Sequence, residues 1–294
     1  MNNFPRISII TPSYNQGKFL EETILSVIGQ NYPNLEYIII DGGSSDNSVE
    51  IIKKFEKYLS YGVSEKDNGQ SEAINKGFAK TTGDILGWLN SDDYYLPGSL
   101  HHIASQLNTN SSEIICGNCF HFHDNTPISW GSDIRNDHGK YNLLLFDYIT
   151  QPSTFWTRKL WEKNGPLNNQ YRFVFDWEYF IKARTSLASF LITDKYLSAY
   201  RFHESHKSGI GGKERYDEII DIYRKYSGDD TATLGLSITK YMEAIPQTKK
   251  KIRRMFLQKF ETFLIKKRYR EIYDHDKSII LNMRKMLGAG DQLY

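Results

Sequence analysis

The first hundred residues alternate between short apolar runs and segments whose apolar residues recur at helical spacing. Runs such as ISII at 7–10 and YIII at 37–40 are almost continuously apolar, which is typical of strands buried on both faces. Between them, Leu20, Ile24, Val27 and Ile28 follow helical spacing. Strand, helix and strand in succession predict right-handed crossovers and a parallel sheet. Predicted strands cover 6–12, 35–41, 61–65 and 85–89, and predicted helices cover 19–30, 49–58, 72–80 and about 99–107.

The pattern changes after residue 110. It predicts strands at 113–122, 127–130, 151–156 and 190–201, the first two as a hairpin, and helices at 159–164 and 176–184. The sequence of residues 133–148 does not favour a helix over a strand or a loop. From about Glu214 the spacing is helical. We predict an α/β domain at 1–212, with halves meeting near 110, and a helical extension at 213–294.

Carboxylates follow several of the predicted strands. Asp41 ends the second strand, Asp67 lies in the loop after the third, and Asp92 and Asp93 follow the fourth. Open α/β sheets bind ligands at the carboxyl ends of their strands. Adjacent carboxylates beside Ser91 offer hard oxygen ligands, which suit Mg²⁺ or Mn²⁺. A solvated turn is the alternative for each of these positions.

The loop after the first strand excludes two common nucleotide-binding classes. It reads TPSYNQG and lacks the Gly-x-Gly-x-x-Gly turn of dinucleotide-binding folds, and the chain has no phosphate-binding P-loop. The strand-end carboxylates still fit a nucleotide. Asp41 can accept hydrogen bonds from a base or ribose, and an ion at the Asp pair can neutralise a pyrophosphate. Asp176, beside aromatic residues, is a candidate general base.

The two cysteines do not indicate a metal or redox site. Cys116 and Cys119 lie in a predicted strand, where positions three apart point to opposite faces. His121 and His123 are near, but no second Cys pair supports zinc. The N-terminus lacks a signal pattern, and no run approaches the roughly 18 apolar residues of a membrane span. We therefore expect a cytoplasmic protein, or one attached to a membrane face.

Charge is concentrated near the C-terminus. The formal net charge is +2, yet residues 249–270 carry ten Lys or Arg and one acid. Apolar residues from Ile252 to Leu264 form one helical stripe there. Such a helix suits an anionic membrane surface. Packing on the α/β domain or in a homodimer is the equal alternative. Nucleic-acid binding is disfavoured because the rest of the chain is acidic.

Four segments carry a resemblance to a known family, and two later segments extend it. The chain resembles the inverting glycosyltransferases of family 2, which have the GT-A fold, over roughly the first 210 residues. The segments are ISIITPSYN at 7–15, IIDGGSSD at 39–46, DNGQSEAINKG at 67–77, GDILGWLNSDD at 83–93, DWE at 176–178 and YRFH at 200–203.

The resemblance implies roles for individual residues. Asp93 would hold the metal with help from His203, for which His206 is the nearby rival. Asn90 stands where many members have the first acid of an Asp-x-Asp element, which weakens that signature. Asp176 would be the base, with Glu178 as its rival. The implied donor-binding residues are Pro12, Tyr14, Asn15, Asp41, Asp67, Asn75, Ser91 and Asp92.

The resemblance implies a bacterial polysaccharide- or lipopolysaccharide-type glycosyltransferase, and the adjacent carboxylates fit its expected dependence on Mn²⁺ or Mg²⁺. It would move a sugar from a nucleoside-diphosphate-sugar, with UDP favoured, to a hydroxyl of a glycan or lipid-linked acceptor, inverting the anomeric centre. The alternative is a non-catalytic module that binds sugar nucleotides.

Overall fold

The computed structural model describes residues 4–204, 207, 212–244, 269–270, 272, 276 and 278–288. The chain divides into two compact units. One comprises the described residues of Met1–Asp137 and Ile149–Glu204, and the other those of His138–Tyr148 and Ser205–Tyr294. The segment His138–Tyr148 falls in the second unit, although we predicted it within the domain at 1–212. Long-range bonds hold it there: Asn142 N–H donates to Asn282 Oδ1, and the Tyr223 hydroxyl to the Leu145 carbonyl.

The first unit is an α/β structure in which each predicted strand and helix has a counterpart. Residues 151–153, predicted as the start of a strand, instead form a 3-10 turn, and so do the last residues of the helix predicted at 49–58. Its strands are β1 (Ile7–Ser13), β2 (Leu35–Asp41), β3 (Tyr61–Ser64), β4 (Ile85–Trp88), β5 (Tyr94–Tyr95), β6 (Glu113–His123), β7 (Ser129–Gly131), β8 (Thr154–Thr157) and β9 (Ser189–Phe202). Its helices are α1 (Gly17–Ile28), α2 (Ser48–Lys54), α3 (Gln70–Phe78), α4 (Ser99–Gln106), α5 (Ile134–Lys140, which runs into the second unit), α6 (Arg158–Asn164) and α7 (Phe175–Thr185).

The strands form one nine-stranded sheet in the order β3-β2-β1-β4-β8-β6-β9-β5, with β7 paired to β6. Strands β1 to β4 are parallel, whereas β8 runs antiparallel to both β4 and β6. Ser13, Asp41 and Ser64 stand in register at the carboxyl ends of β1, β2 and β3. The predicted α/β fold is therefore confirmed, and the strand-end carboxylates share one edge of the sheet.

Close packing fixes the helices against this sheet. Gly77 of α3 lies so near β1 that a Cβ there would come within 2.7 Å of Cγ2 of Ile10. Five aromatic rings from α3, β4, β8, α6 and α7 form a second contact: Phe78, Trp88, Trp156, Trp161 and Tyr179 pack with centroids 4.3–6.4 Å apart. Buried aromatic pairs stabilise a core beyond the area they bury, so α6 and α7 are held firmly against β4.

A buried carboxylate lies at the opposite end of the sheet, where β1, β2 and β4 begin. Glu36 of β2 is only 4% exposed, and it accepts hydrogen bonds from the Ser8 hydroxyl and from the N–H and hydroxyl of Thr82. Arg6 pairs with it at 3.1 Å. Burial alone would raise the pKa of Glu36, but these donors and the guanidinium together lower it. The ionised carboxylate thus ties β1, β2 and the start of β4 together.

In the second unit, residues 141–148 form neither helix nor strand, and the described residues from Gly212 onward are mostly helical. It contains α8 (Gly212–Ser227), α9 (Asp229–Ala244) and α10 (Ile279–Gly288). The basic segment 249–270, predicted to be an amphipathic helix, lies outside the described residues except for its last two. Across the described part of the chain, every helix is too short or too polar to cross a bilayer.

Candidate active site

Two loops at the carboxyl ends of β1 and β2 are bonded to each other. Asn15, in the left-handed region at φ 51°, donates its N–H to the Ser44 hydroxyl over 2.7 Å and accepts the Ser45 N–H at Oδ1 over 2.9 Å. Gly17 N–H donates to Oδ2 of Asp46. Of the other two residues predicted for the nucleoside pocket, Pro12 is buried in β1 and Tyr14 is 63% exposed. Tyr14 is thus the accessible ring at this edge.

Asp41 lies at this edge, but its carboxylate is fully buried. Oδ2 accepts the N–H groups of Gly43 and Ser44 and the hydroxyl of Ser64, over 2.7–3.1 Å. Oδ1 accepts the Ser44 hydroxyl over 2.6 Å. Four protein donors therefore occupy the side chain that we predicted to bind the base.

Asp67 approaches the same loop from the other side. Its carboxylate is half-buried, and Oδ1 accepts the Gly69 N–H over 2.9 Å. Oδ2 lies over Gly42, at 2.8 Å from where a Cβ would stand. Burial raises the pKa of Asp67. A larger residue at position 42 would displace this carboxylate from its place beside the Asp41 turn.

Asn75 does not join these residues. It belongs to α3, and its amide bonds to both main-chain groups of Leu167 over 2.9 Å and to Oδ1 of Asn169 over 2.8 Å. Asn75, which we predicted to bind the sugar nucleotide, instead bonds to the loop before α7.

Asp93 connects the turn after β4 to β9 and to α1 by hydrogen bonds. This residue is 1% exposed. Its Oδ1 accepts the Arg201 N–H over 3.0 Å, and its carbonyl accepts the Thr23 hydroxyl over 2.7 Å. Burial, and then the neighbouring Asp92 carboxylate, raise the pKa of Asp93 well above its ordinary value. Ser91 is also buried, and Asn90 accepts a hydrogen bond from Gln70 Nε2. These contacts give Asp93 a supporting position inside the turn.

Asp92, rather than Asp93, meets the predicted histidine. Oδ2 of Asp92 lies 3.0 Å from Nε2 of His203, and the two side chains are 18% and 5% exposed. The His203 ring packs on Phe19 of α1 at 4.6 Å. His206 lies outside the described residues. The structure therefore brings Asp92 and His203 together, with a small part of the Asp92 side chain exposed.

The nature of these two groups fits a divalent cation. A carboxylate oxygen and an imidazole nitrogen suit Mn²⁺, and metals at phosphate sites use one or two protein ligands plus substrate phosphates. Among the described residues, no group of three or more His, Cys, Asp or Glu is arranged to hold a metal without a substrate. An ion here would need further ligands, which a diphosphate supplies.

Sequence reasoning missed Arg201 as a site residue. It lies on β9 two residues before His203, and its side chain is 7% exposed. Nε donates to the Asp92 carbonyl over 3.0 Å. The YRFH segment was the only sequence signal, and it does not say which loop the arginine would contact.

The acids of α7 differ sharply in accessibility. Asp176, in the first turn, is half-buried and accepts the Trp177 N–H over 2.8 Å. Glu178 is fully buried, with Oε2 3.4 Å from Nζ of Lys182. Phe175 packs on Trp88, the last residue of β4, at 6.1 Å. Asp176 is therefore the better placed of the two to meet a ligand beyond the end of β4.

Comparison with known proteins identifies the class. The sequence profile described as "Glycosyl transferase family 2" matches residues 8–168, more than half of the chain. The chain belongs to this glycosyltransferase family.

Individual relatives agree with the family. An uncharacterized glycosyltransferase of Haemophilus influenzae is 41% identical over 95 residues, which are 31% of this chain and 38% of the relative. A PGL/p-HBAD biosynthesis glycosyltransferase of Mycobacterium bovis is 28% identical over 183 residues, 60% of this chain and 69% of that one. The chain matches 33–40% of the length of the first seven curated relatives.

Solved structures share the fold. The mannosyltransferase PcManGT from Pyrobaculum calidifontis, in complex with GDP-Man and Mn²⁺, aligns with a TM-score of 0.61 at 14% identity, over 97% of this chain and 88% of that one. TarS 1-349 from S. aureus, in complex with UDP, aligns with a TM-score of 0.58 at 16% identity, over 77% and 69%. These neighbours confirm the predicted GT-A fold.

Proposed function

We propose that this protein transfers a sugar from a nucleoside-diphosphate-sugar to an acceptor hydroxyl, with a divalent cation and with inversion at the anomeric carbon. One observation carries the proposal. The Asp92 carboxylate and the His203 imidazole meet at 3.0 Å at the end of β4, on the edge of the sheet where Asp41 and Asp67 also lie. This edge is where α/β sheets bind nucleotides.

The nucleoside would bind between the β1 and β3 ends of the sheet. Tyr14 offers an exposed ring for stacking, and Asp67 offers a carboxylate whose pKa burial raises. Asp41 shapes the loop between them. TarS has been solved with UDP and UDP-GlcNAc, and PcManGT with GDP-Man. We favour a UDP-sugar as the donor here.

Asp92 and His203 would hold Mn²⁺ or Mg²⁺, and Asp93 would support the turn. This assignment revises our prediction of Asp93 as the metal ligand, because Asp93 is the more deeply buried of the two acids and bonds to main-chain N–H of Arg201. A bound cation supplies charge that stabilises the departing diphosphate.

Asp176 would accept the proton of the acceptor hydroxyl. The hydroxyl oxygen then forms a bond to the anomeric carbon as the bond from that carbon to the diphosphate oxygen breaks, which inverts the configuration. Glu178 is unsuited to this role because it is buried and paired with Lys182. The acceptor would be a glycan or a lipid-linked sugar of a polysaccharide or lipopolysaccharide pathway. If the acceptor is lipid-linked, the segment 249–270 would hold the enzyme peripherally at the inner face of the membrane. Otherwise this segment would serve in a homodimer.

The test is a donor screen followed by single substitutions. Thermal shift against UDP-, GDP- and dTDP-sugars, with Mn²⁺ or with EDTA, should show one donor class raising the melting temperature only with the metal. With that donor, Asp176→Asn should lose at least about a hundredfold in turnover and keep donor affinity. Asp230→Asn, an exposed acid in the first turn of α9, is the matched control and should be unaffected.

Each contrary result removes a specific part of the proposal. Equal turnover in EDTA would exclude the metal. Unchanged turnover of Asp176→Asn would exclude this base. Donor binding without hydrolysis or transfer, in wild type and variant alike, would favour the alternative of a sugar-nucleotide-binding module.

A further inference from the structure

Arg201 donates hydrogen bonds to four residues in and around the turn after β4. Its guanidinium is 7% exposed, and it packs between the rings of Phe19 and Phe122, which lie 4.8 and 4.9 Å from Cζ. A cation so far from water is costly unless acceptors surround it. The identity of those acceptors indicates what this side chain does.

Two of the contacts are to the turn after β4. Nε donates to the Asp92 carbonyl over 3.0 Å, and the main-chain N–H donates to Oδ1 of Asp93 over 3.0 Å. One residue therefore fixes both the peptide and the neighbouring carboxylate of this turn. Two residues further on, just past the end of β9, His203 meets the Asp92 carboxylate. The end of β9 and the residue after it thus hold Asp92 at two points: Arg201 at its carbonyl and His203 at its carboxylate.

The other nitrogens of Arg201 connect the turn to two further segments. Nη1 donates to Oδ1 of Asp124 over 2.8 Å, just beyond β6, and Nη2 contacts Oε2 of Glu22 in α1. Asp124 also accepts a hydrogen bond from Lys18 of α1. The guanidinium thereby joins α1, the end of β6 and the β4 turn at one point.

We infer that Arg201 is a positioning residue that sets the orientation of Asp92 for the cation and diphosphate. The inference rests on the proposed function, since it concerns the same metal pair. If the Asp92 peptide were released, the carboxylate could rotate away from His203, and the two ligands would no longer be held at 3.0 Å. Partners that orient a metal ligand commonly contribute ten- to a hundredfold to affinity or activity.

Lysine cannot replace this arginine. Its ammonium is a point charge, whereas the planar guanidinium reaches three acceptors in fixed directions. Lysine at 201 would keep the positive charge and the strand N–H to Asp93, and it would lose at least the Nε bond to Asp92. Arg201→Lys therefore removes the bond that orients the turn and keeps the positive charge beside the acidic residues.

The experiment measures Mn²⁺ binding to the full chain by electron paramagnetic resonance of the free ion, with UDP present and without acceptor. Arg201→Lys should weaken Mn²⁺ binding about ten- to a hundredfold at a folded fraction verified by circular dichroism. In donor hydrolysis it should raise the Mn²⁺ concentration for half-maximal rate by a similar factor. Arg135→Lys is the matched control. Arg135 pairs bidentately with Asp194 on the surface, and its substitution should leave Mn²⁺ binding unchanged.

Glu22→Gln provides a second variant if Arg201→Lys fails to fold. Glu22 is 58% exposed in its side chain, so its replacement should be tolerated, and loosening the guanidinium should still weaken Mn²⁺ binding measurably, by a few-fold. Wild-type affinity in a folded Arg201→Lys, or in Glu22→Gln when the first variant does not fold, would overturn the positioning role. Absence of Mn²⁺ binding to the wild type would instead overturn the proposed metal site, and this inference with it.

Discussion

Asp41→Asn distinguishes a residue that shapes a loop from one that reads a nucleobase. The family resemblance implies base binding, whereas the structure surrounds the carboxylate with four protein donors at 2.6–3.1 Å and leaves it no exposed surface. Asparagine is isosteric, but it replaces one acceptor oxygen with a donor and removes the charge. The two roles predict different consequences for stability and for donor affinity.

The expected magnitude follows from those four bonds. Hydrogen bonds to a charged group contribute about 1.5–3 kcal/mol each, and neutral ones about 0.5–1.5 kcal/mol. In Asp41→Asn three bonds become neutral and the Ser44 hydroxyl must turn to accept, while the desolvation penalty of the charge disappears. We expect a net loss of about 1–3 kcal/mol. Asp41→Ala leaves two main-chain N–H groups and two hydroxyls without this acceptor, and we expect about 3–6 kcal/mol.

The assay is urea unfolding followed by tryptophan fluorescence. All five tryptophans, at 88, 130, 156, 161 and 177, belong to the first unit, so the signal reports the unit that contains Asp41. Donor affinity of the folded variants is measured in parallel, with Asp67→Asn as the comparison. We expect Asp67→Asn to weaken donor binding more than Asp41→Asn does. Wild-type stability of Asp41→Asn together with donor binding weakened more than tenfold, and normal binding by Asp67→Asn, would refute this reasoning.

Three further predictions concern residues outside the nucleotide-binding edge. Because the folded pKa of Glu36 is lowered, its ionised form contributes stability that is lost as pH falls below the ordinary value of 4.5; the stability difference between wild type and Glu36→Gln should therefore be largest near neutrality and shrink in urea titrations run at lower pH. Asn75→Ala should cost about 1–3 kcal/mol, since it leaves the main chain of Leu167 unpaired there, and unchanged donor affinity by calorimetry would separate it from a donor ligand. Burial raises the pKa of Cys119 to about 12, and Cys116 is buried as well. Iodoacetamide at pH 8 should modify neither thiol before unfolding, and rapid labelling of the native protein would contradict their burial.

Much of the fold followed from local patterns in the sequence. The continuous apolar run before Asp41 is typical of a strand buried on both faces, and the spacing after Gly17 is typical of a helix with one buried side. Both patterns are set by backbone geometry within one short segment. The strand–helix alternation then left a parallel sheet as the expected arrangement. That in turn placed Asp41, Asp67 and the Asp92–Asp93 pair at one edge before any distance was known. The two-residue strand β5 was missed because two residues are too few to show a pattern of apolar and polar positions.

The roles of individual polar residues depended on contacts between distant parts of the chain. Sequence spacing cannot show that Asp93 accepts an N–H from residue 201, or that Asn75 binds the main chain at 167. It likewise cannot show that Asp92, one position earlier, is the acid that meets His203. Adjacent residues in a turn point in different directions, and the direction of each depends on the strand packed against it. The sequence by itself determined the family, the sheet and the edge where its acids gather, because local periodicity and motif order encode them. Only the tertiary structure decided which acid is bonded into the turn and which stays partly exposed beside His203, because long-range hydrogen bonds and burial determine both.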